Sequence, residues 1–221
     1  MVDLISISQV VSGYFCPVRL YLERSAASGE SPRYTVSKQV SYHLGKPLQS
    51  ESLWDEVLAI QPDIEEDMRE FLDTCVGACR EKTWRRPVQT DVQVRSERFG
   101  IRGMVDKIFE EEPYFAITRS SSAPIAGIYA GDRIRIACYV LCIRESLGLP
   151  AEAGLIEYIP SGESRVCHPE PRDRRAMLTG IRSAQRVLAG EVPRKPVRAP
   201  CATCPYESQC LSGAQRLSDL M

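Results

Sequence analysis

The chain has no surplus of either charge, no long apolar run and no internal repeat. Its 28 Lys and Arg stand against 29 Asp and Glu, a net charge of -1. That balance argues against a strongly cationic nucleic-acid binder, although it leaves room for a local basic groove. No apolar stretch approaches the ~20 residues that a membrane-spanning helix needs, so no membrane partner is expected. Met1-Val2-Asp3-Leu4 do not form a basic segment followed by an apolar one, which predicts no signal peptide and a cytoplasmic protein. With 43% hydrophobic and 26% charged residues in 221, the composition is that of an ordinary globular protein. The length suits one large domain, or one domain with a small appendage.

Cysteine, by contrast, is abundant. Nine residues is a high and odd number, and a reducing compartment disfavours a disulfide framework. Cys75, Cys79, Cys138 and Cys142 lie at four-residue spacing in apolar stretches and read as small buried hydrophobes. Cys167 reads the same way. Cys201, Cys204 and Cys210 differ, because Cys-Ala-Thr-Cys-Pro-Tyr-Glu-Ser-Gln-Cys is a polar, proline-bearing segment.

Ser6-Ile7-Ser8 before Gln9-Val10-Val11 marks a helix start, with Ser8 as the expected N-cap. Cys16-Pro17 predicts a break, since proline disfavours a helical conformation at the preceding residue. Residues 35–84 are helical in pattern, interrupted at Pro47 and Pro62, with Leu53, Val57, Leu58, Met68, Phe71, Leu72 and Cys75 at helical steps. From Pro87 the texture alternates, and Val92 to Ile117 predicts three or four strands with turns at Gly100 and at Glu110-Glu111-Glu112-Pro113. A loop over 120–131, a helix over 132–147, strands over 153–159 and 164–167, and a helix over 172–189 complete the pattern. The expected regions are an N-terminal segment 1–34, a helical region 35–86, a sheet-bearing core 87–190 and a C-terminal cysteine segment 191–221. An α/β (α+β) fold with helices packed on a sheet follows.

Cys201-x2-Cys204 directs two thiolates to one centre, and Cys210 can supply a third. Tetrahedral zinc and a four-iron cluster both need four ligands, so one must come from elsewhere. Cys16 is the best candidate, with His168 and Cys167 as competitors. Spacing alone leaves zinc and iron–sulfur level. A centre joining residue 16 to residues 201–210 would clasp the two ends of the chain.

Several segments together resemble a known family. Ser8, Tyr14, Cys16-Pro17, Arg19 and Tyr21 resemble the N-terminus of the CRISPR-associated, RecB-like iron–sulfur exonucleases, the fourth Cas protein family. Cys201-x2-Cys204-Pro205-x4-Cys210 is similar to that family's C-terminal motif. Glu97 and Gly103-Met104-Val105-Asp106 resemble its strand ending in Gly-x-x-Asp, and Ala123-Pro124 with Gly131-Asp132-Arg133 and Tyr139 resembles its next segment. The resemblance spans most of the chain in the family's order. It implies a 4Fe-4S cluster on Cys16, Cys201, Cys204 and Cys210, and a restriction-endonuclease-like PD-(D/E)xK core with a mixed sheet flanked by helices.

Such a nuclease holds Mg²⁺ or Mn²⁺ on an Asp, a Glu and often a His, with a Lys two residues beyond the Glu. The metal neutralises phosphate charge and generates the nucleophile. By resemblance, His43 and Asp106 are the metal residues. The Glu position, however, falls at Ile117 and the Lys position at Arg119, while the family's glutamine falls at Arg135. Isoleucine cannot ligate a hard cation, so His43 and Asp106 alone would hold Mg²⁺ or Mn²⁺ weakly. Arg119 is expected to pair with Asp106 and, with Arg135, Arg133 and Lys107, to form a phosphate-binding patch beside Tyr139. Glu157 or Glu110, Glu111 and Glu112 are the carboxylates available as substitutes, the last three reading as a solvated turn. The resulting expectation is a degenerate family member that binds DNA ends or single strands, or the CRISPR integrase complex, during spacer acquisition. The alternatives are an active exonuclease and a structural or redox-sensing iron–sulfur protein.

Overall fold

The computed structural model describes residues 4–24, 29–197 and 199–210. Strand β1 (Ile5–Ser6) runs directly into helix α1 (Ile7–Phe15). Ser6, not Ser8, caps this helix. Its Oγ accepts the Gln9 N–H at 3.1 Å, and the Gln9 side chain accepts the Ser6 N–H at 2.8 Å. A glutamine three residues beyond the cap makes that reciprocal box possible, and Ser8 has no such partner at the right spacing. Cys16 ends α1 in an extended conformation (φ -156°, ψ 101°), and Pro17 opens α2 (Pro17–Glu23). The Cys-Pro break is therefore a hinge between two helices.

Three helices follow: α3 (Pro32–Tyr42), α4 (Ser50–Ile60) and α5 (Asp67–Cys79). Pro47 and Pro62 fall in the two gaps. The strands β2 (Gln89–Ser96), β3 (Ile101–Ile108) and β4 (Phe115–Arg119) form next, so three strands arise where three or four were expected. Gly100 turns the β2–β3 hairpin at φ +65°, a conformation that glycine adopts without steric cost. Helix α6 (Ala130–Leu147) carries the chain from β4 to β5 (Gly154–Tyr158). β6 (Glu163–Cys167) returns antiparallel, and α7 (Pro171–Leu188) follows.

β2 pairs antiparallel with β3 along its length, from Gln89 opposite Ile108 to Ser96 opposite Ile101. The other edge of β3 is shared. β1 lies parallel at Ile101 and Arg102, and β4 lies antiparallel at Lys107 and Ile108. β4 and β5 are parallel, as a helical crossover allows. Among the described residues the fold is thus α/β, a six-stranded mixed sheet flanked by helices.

Each face of the sheet has its own apolar cluster. On one side Val10, Val105, Phe115, Ile117, Ile134, Ile156 and Ile181 join α1, α6 and α7 to the strands. On the other, Val36, Val40, Leu53, Trp54, Leu72 and Cys75 hold α3, α4 and α5 together. Burial pushes the thiols of Cys75, Cys79 and Cys142 up to about 12 and that of Cys167 to about 11, and it raises Cys138 as well. These five remain protonated and inert at neutral pH, the behaviour of packing residues.

Candidate thiolate centre and carboxylate network

Cys16, Cys201, Cys204 and Cys210 line one small cavity, closed on its apolar side by Val18 and Leu22. The α1–α2 hinge presents Cys16, and a short 3-10 turn over Cys201–Thr203 presents the C-terminal set. The Cys204 N–H donates to the Cys201 carbonyl at 2.9 Å, which folds the C-x2-C segment back on itself. Lys195 also lines the cavity, and its ammonium is raised by its bond to Cys201. Arg19 is held beside the cavity by Glu23 at 2.7 Å. Four soft sulfur donors with nearby cations suit a thiophilic metal centre, since cations favour thiolate over thiol. The competing ligands lie elsewhere: Cys167 is buried near Arg133, and the His168 carbonyl accepts from Arg133. Among the described residues, no three His, Cys, Asp or Glu side chains converge closely enough to hold a single metal ion. Lining a common cavity is a looser arrangement than that.

Asp106 ends up beneath α3. It is 6% exposed; its Oδ2 accepts the Thr118 N–H at 2.7 Å and its Oδ1 accepts the Tyr34 hydroxyl at 3.2 Å. Burial raises its carboxyl above the usual range, although Thr118, Lys38 and Tyr34 pull the other way. Lys38 lies 4.0 Å from Asp106 and 2.9 Å from Asp91. Burial lowers Lys38, but the Asp91 bond and neighbouring charges outweigh it and lift the ammonium to about 12. The Tyr42 hydroxyl also donates to Asp91. Tyr34, Lys38 and Tyr42 recur every four residues, so α3 turns one stripe toward these aspartates. Sequence reasoning missed this stripe and Asp91. The spacing was legible, but Asp91 adopts φ +54° inside a strand, and nothing in its neighbours announces that.

Arg119 does not meet Asp106. Its Nε lies 2.8 Å from Asp132 Oδ1, an ion pair whose N–H points off the line of contact. Arg135 approaches the same oxygen at 3.3 Å, and the Tyr158 hydroxyl donates to Oδ2 at 3.0 Å. Strand alternation explains the difference. Ile117 packs in the α6-side cluster, with Arg119 two residues on reaching Asp132 of α6, whereas the Thr118 hydroxyl meets Ser41 of α3 at 2.9 Å. The expected phosphate patch is not assembled. Arg133 is held by Asp173 at 2.6 Å, Lys107 by Glu157 at 2.7 Å, and the Tyr139 hydroxyl donates to the Met104 carbonyl at 2.7 Å.

His43 and Asp106 are not brought onto a shared partner. His43 caps the end of α3 and meets Glu56 at 2.9 Å. Glu157 is fully buried, with Oε2 held by Lys107 and Ser41 and Oε1 without a hydrogen-bond partner among the described residues; its ion pair is with Lys107. Nor is the 110–112 turn merely solvated: Glu112 accepts the N–H groups of Glu152 and Ala153 at 2.9 and 2.7 Å, fastening the β3–β4 loop to the entry of β5.

No helix among the described residues is long and apolar enough to cross a membrane. The chain matches no family model and no curated protein. Among solved structures, the crystal structure of SSO0001 aligns with a TM-score of 0.45 and 14% identity, covering 95% of this chain and 86% of that chain.

Proposed function

We propose that the chain is a degenerate member of the CRISPR-associated RecB-like iron–sulfur exonuclease family. It keeps a nuclease-like PD-(D/E)xK core and a 4Fe-4S cluster, has lost metal-dependent cleavage, and binds DNA ends or single strands, or the CRISPR integrase complex, in spacer acquisition. One observation carries the loss of cleavage. β4 reads Phe115-Ala116-Ile117-Thr118-Arg119 and has no carboxylate on either face, while both oxygens of Asp106 already accept internal hydrogen bonds. A two-carboxylate anchor for Mg²⁺ or Mn²⁺ is therefore missing in either register of β4.

The cluster is supported by an all-cysteine donor set from both ends of the described chain that faces one cavity. Cys16, Cys201, Cys204 and Cys210 would each hold one iron. When bound, the cluster supplies a covalent cross-link between the α1–α2 hinge and the C-terminal segment. Val18 and Leu22 keep water from one side, and Lys195 offsets thiolate charge.

The test is cleavage of end-labelled single-stranded DNA with Mg²⁺ and with Mn²⁺. The expected result is no cutting above background, identical for the wild type and Asp106→Ala. Robust cutting that vanishes in Asp106→Ala would establish the active exonuclease instead.

A further inference from the structure

A basic concavity lies apart from the carboxylate network. The loop after α3 and the segment after α5 face each other across a cleft of about 460 Å³. Lys46, Arg80, Lys82 and Arg86 line it together with Thr83 and Trp84, and no carboxylate does. Gly45, at φ +82°, brings the first wall close to the second, since a Cβ there would lie 3.7 Å from the Trp84 carbonyl and 3.8 Å from Arg86 Cγ.

All four cations are exposed, and among the described residues none is in an ion pair. Arg85, between them in sequence, serves as the contrast. It donates to the carbonyls of Pro113 and Glu111 and stacks over Phe109, and so is structural. The carboxyl end of α5 offers the cations some compensation, but a helix terminus carries only about half a charge. Its last carbonyl, that of Cys79, already accepts from the Lys82 N–H and the Trp84 indole N–H. Four charges in one cleft of a chain whose net charge is -1 are a local excess seeking an anion.

We infer that this cleft binds the phosphodiester backbone of a single-stranded nucleic acid, with Lys46, Arg80, Lys82 and Arg86 on phosphates and Trp84 as a stacking surface for a base. Cations that follow the backbone beside an aromatic ring are the usual means of holding single strands without reading sequence. The inference locates the DNA contact of the proposed function away from Asp106 and the residues of the degenerate site.

Binding of fluorescein-labelled oligothymidylate to the intact chain, followed by anisotropy across a salt series, tests it. About 0.7 of log-log salt slope is released per phosphate neutralised on a single strand. Arg80→Ala/Lys82→Ala should therefore lower the slope by about 1.4 and weaken binding about 10-fold or more at 0.1 M salt. Unlabelled oligothymidylate should also quench tryptophan emission. Trp54 is only 4% exposed, so Trp84→Phe should abolish the quench. Binding with an unchanged slope in the double variant overturns the cleft assignment and leaves the DNA-binding function standing. Absence of any binding by the wild type overturns both. Tight binding of duplex with no quench overturns the single-strand assignment.

Discussion

Lys107 and Glu157 meet at 2.7 Å with side chains 1% and 0% exposed, so each charge depends on the other. Removing one partner of such a pair leaves a buried charge uncompensated, at about 3–5 kcal/mol. Glu157→Leu should lose that much in denaturant unfolding, while Lys107→Met/Glu157→Leu should recover most of it. A double variant as unstable as the single one would show that shape, not charge, sets the cost. Asp106 gives a pH-dependent companion. Its folded-state carboxyl lies above the ordinary value because of burial, so protonation favours the fold and the ionised form costs stability once pH rises past the unfolded value. Asp106→Asn keeps an acceptor for the Thr118 N–H and removes that cost. Its Tm should exceed that of the wild type at pH 7, and the gap should close as pH falls toward about 4. A Tm equal or lower at pH 7 would mean that Lys38 and Tyr34 fully offset the burial.

Among the elements, the crossing of α1 over α7 decides where Cys16 sits. The two helices approach through Gly13 and Gly180. A Cβ on Gly13 would lie 2.9 Å from the Gly180 carbonyl, and one on Gly180 would overlap the Val10 carbonyl. Gly180→Ala must push the helices apart, and overpacking of this kind costs about 1–3 kcal/mol. Because Cys16 ends α1 and the C-terminal cysteines follow α7, the same variant should lower cluster occupancy, read as visible absorbance per chain. Unchanged occupancy in Gly180→Ala would mean that the cysteine cavity tolerates shifts of α1.

The Cys16-Pro17 hinge, the three proline-punctuated helices, the β2–β3–β4 meander and the α6 and α7 boundaries all follow from local signals: proline geometry, glycine turns and hydrophobic period. β1 left no such trace, because two residues carry no periodicity and the strand exists only through its pairing with β3. The partners of Arg119 were equally hidden. Sequence spacing placed it two residues after Ile117, but only the pleat of β4 sends both toward α6 and away from Asp106. The cationic cleft joins residues near 46 to residues near 84, a tertiary juxtaposition that no window of sequence contains.

For the whole molecule, a centre on Cys16, Cys201, Cys204 and Cys210 would close nearly the full length of the chain into a loop. In the chain-entropy treatment of cross-links, a closure this long removes about 5 kcal/mol of unfolded-state freedom. The proposed cluster is therefore expected to act first on stability: chelation or oxidative loss should lower the Tm even though the apolar clusters on both faces of the sheet remain intact. An unchanged Tm after iron removal would confine the cluster's influence to the C-terminal segment. On the proposed reading the molecule keeps a four-cysteine clasp, while both carboxylate oxygens of Asp106 accept internal hydrogen bonds. The most direct measurement is the visible spectrum and metal content of anaerobically purified protein beside its Cys204→Ala variant. Broad iron–thiolate absorption with about four irons per chain, lost in the variant, is the expected result. Colourless protein carrying one tightly bound zinc, or absorption that survives Cys204→Ala, would contradict it.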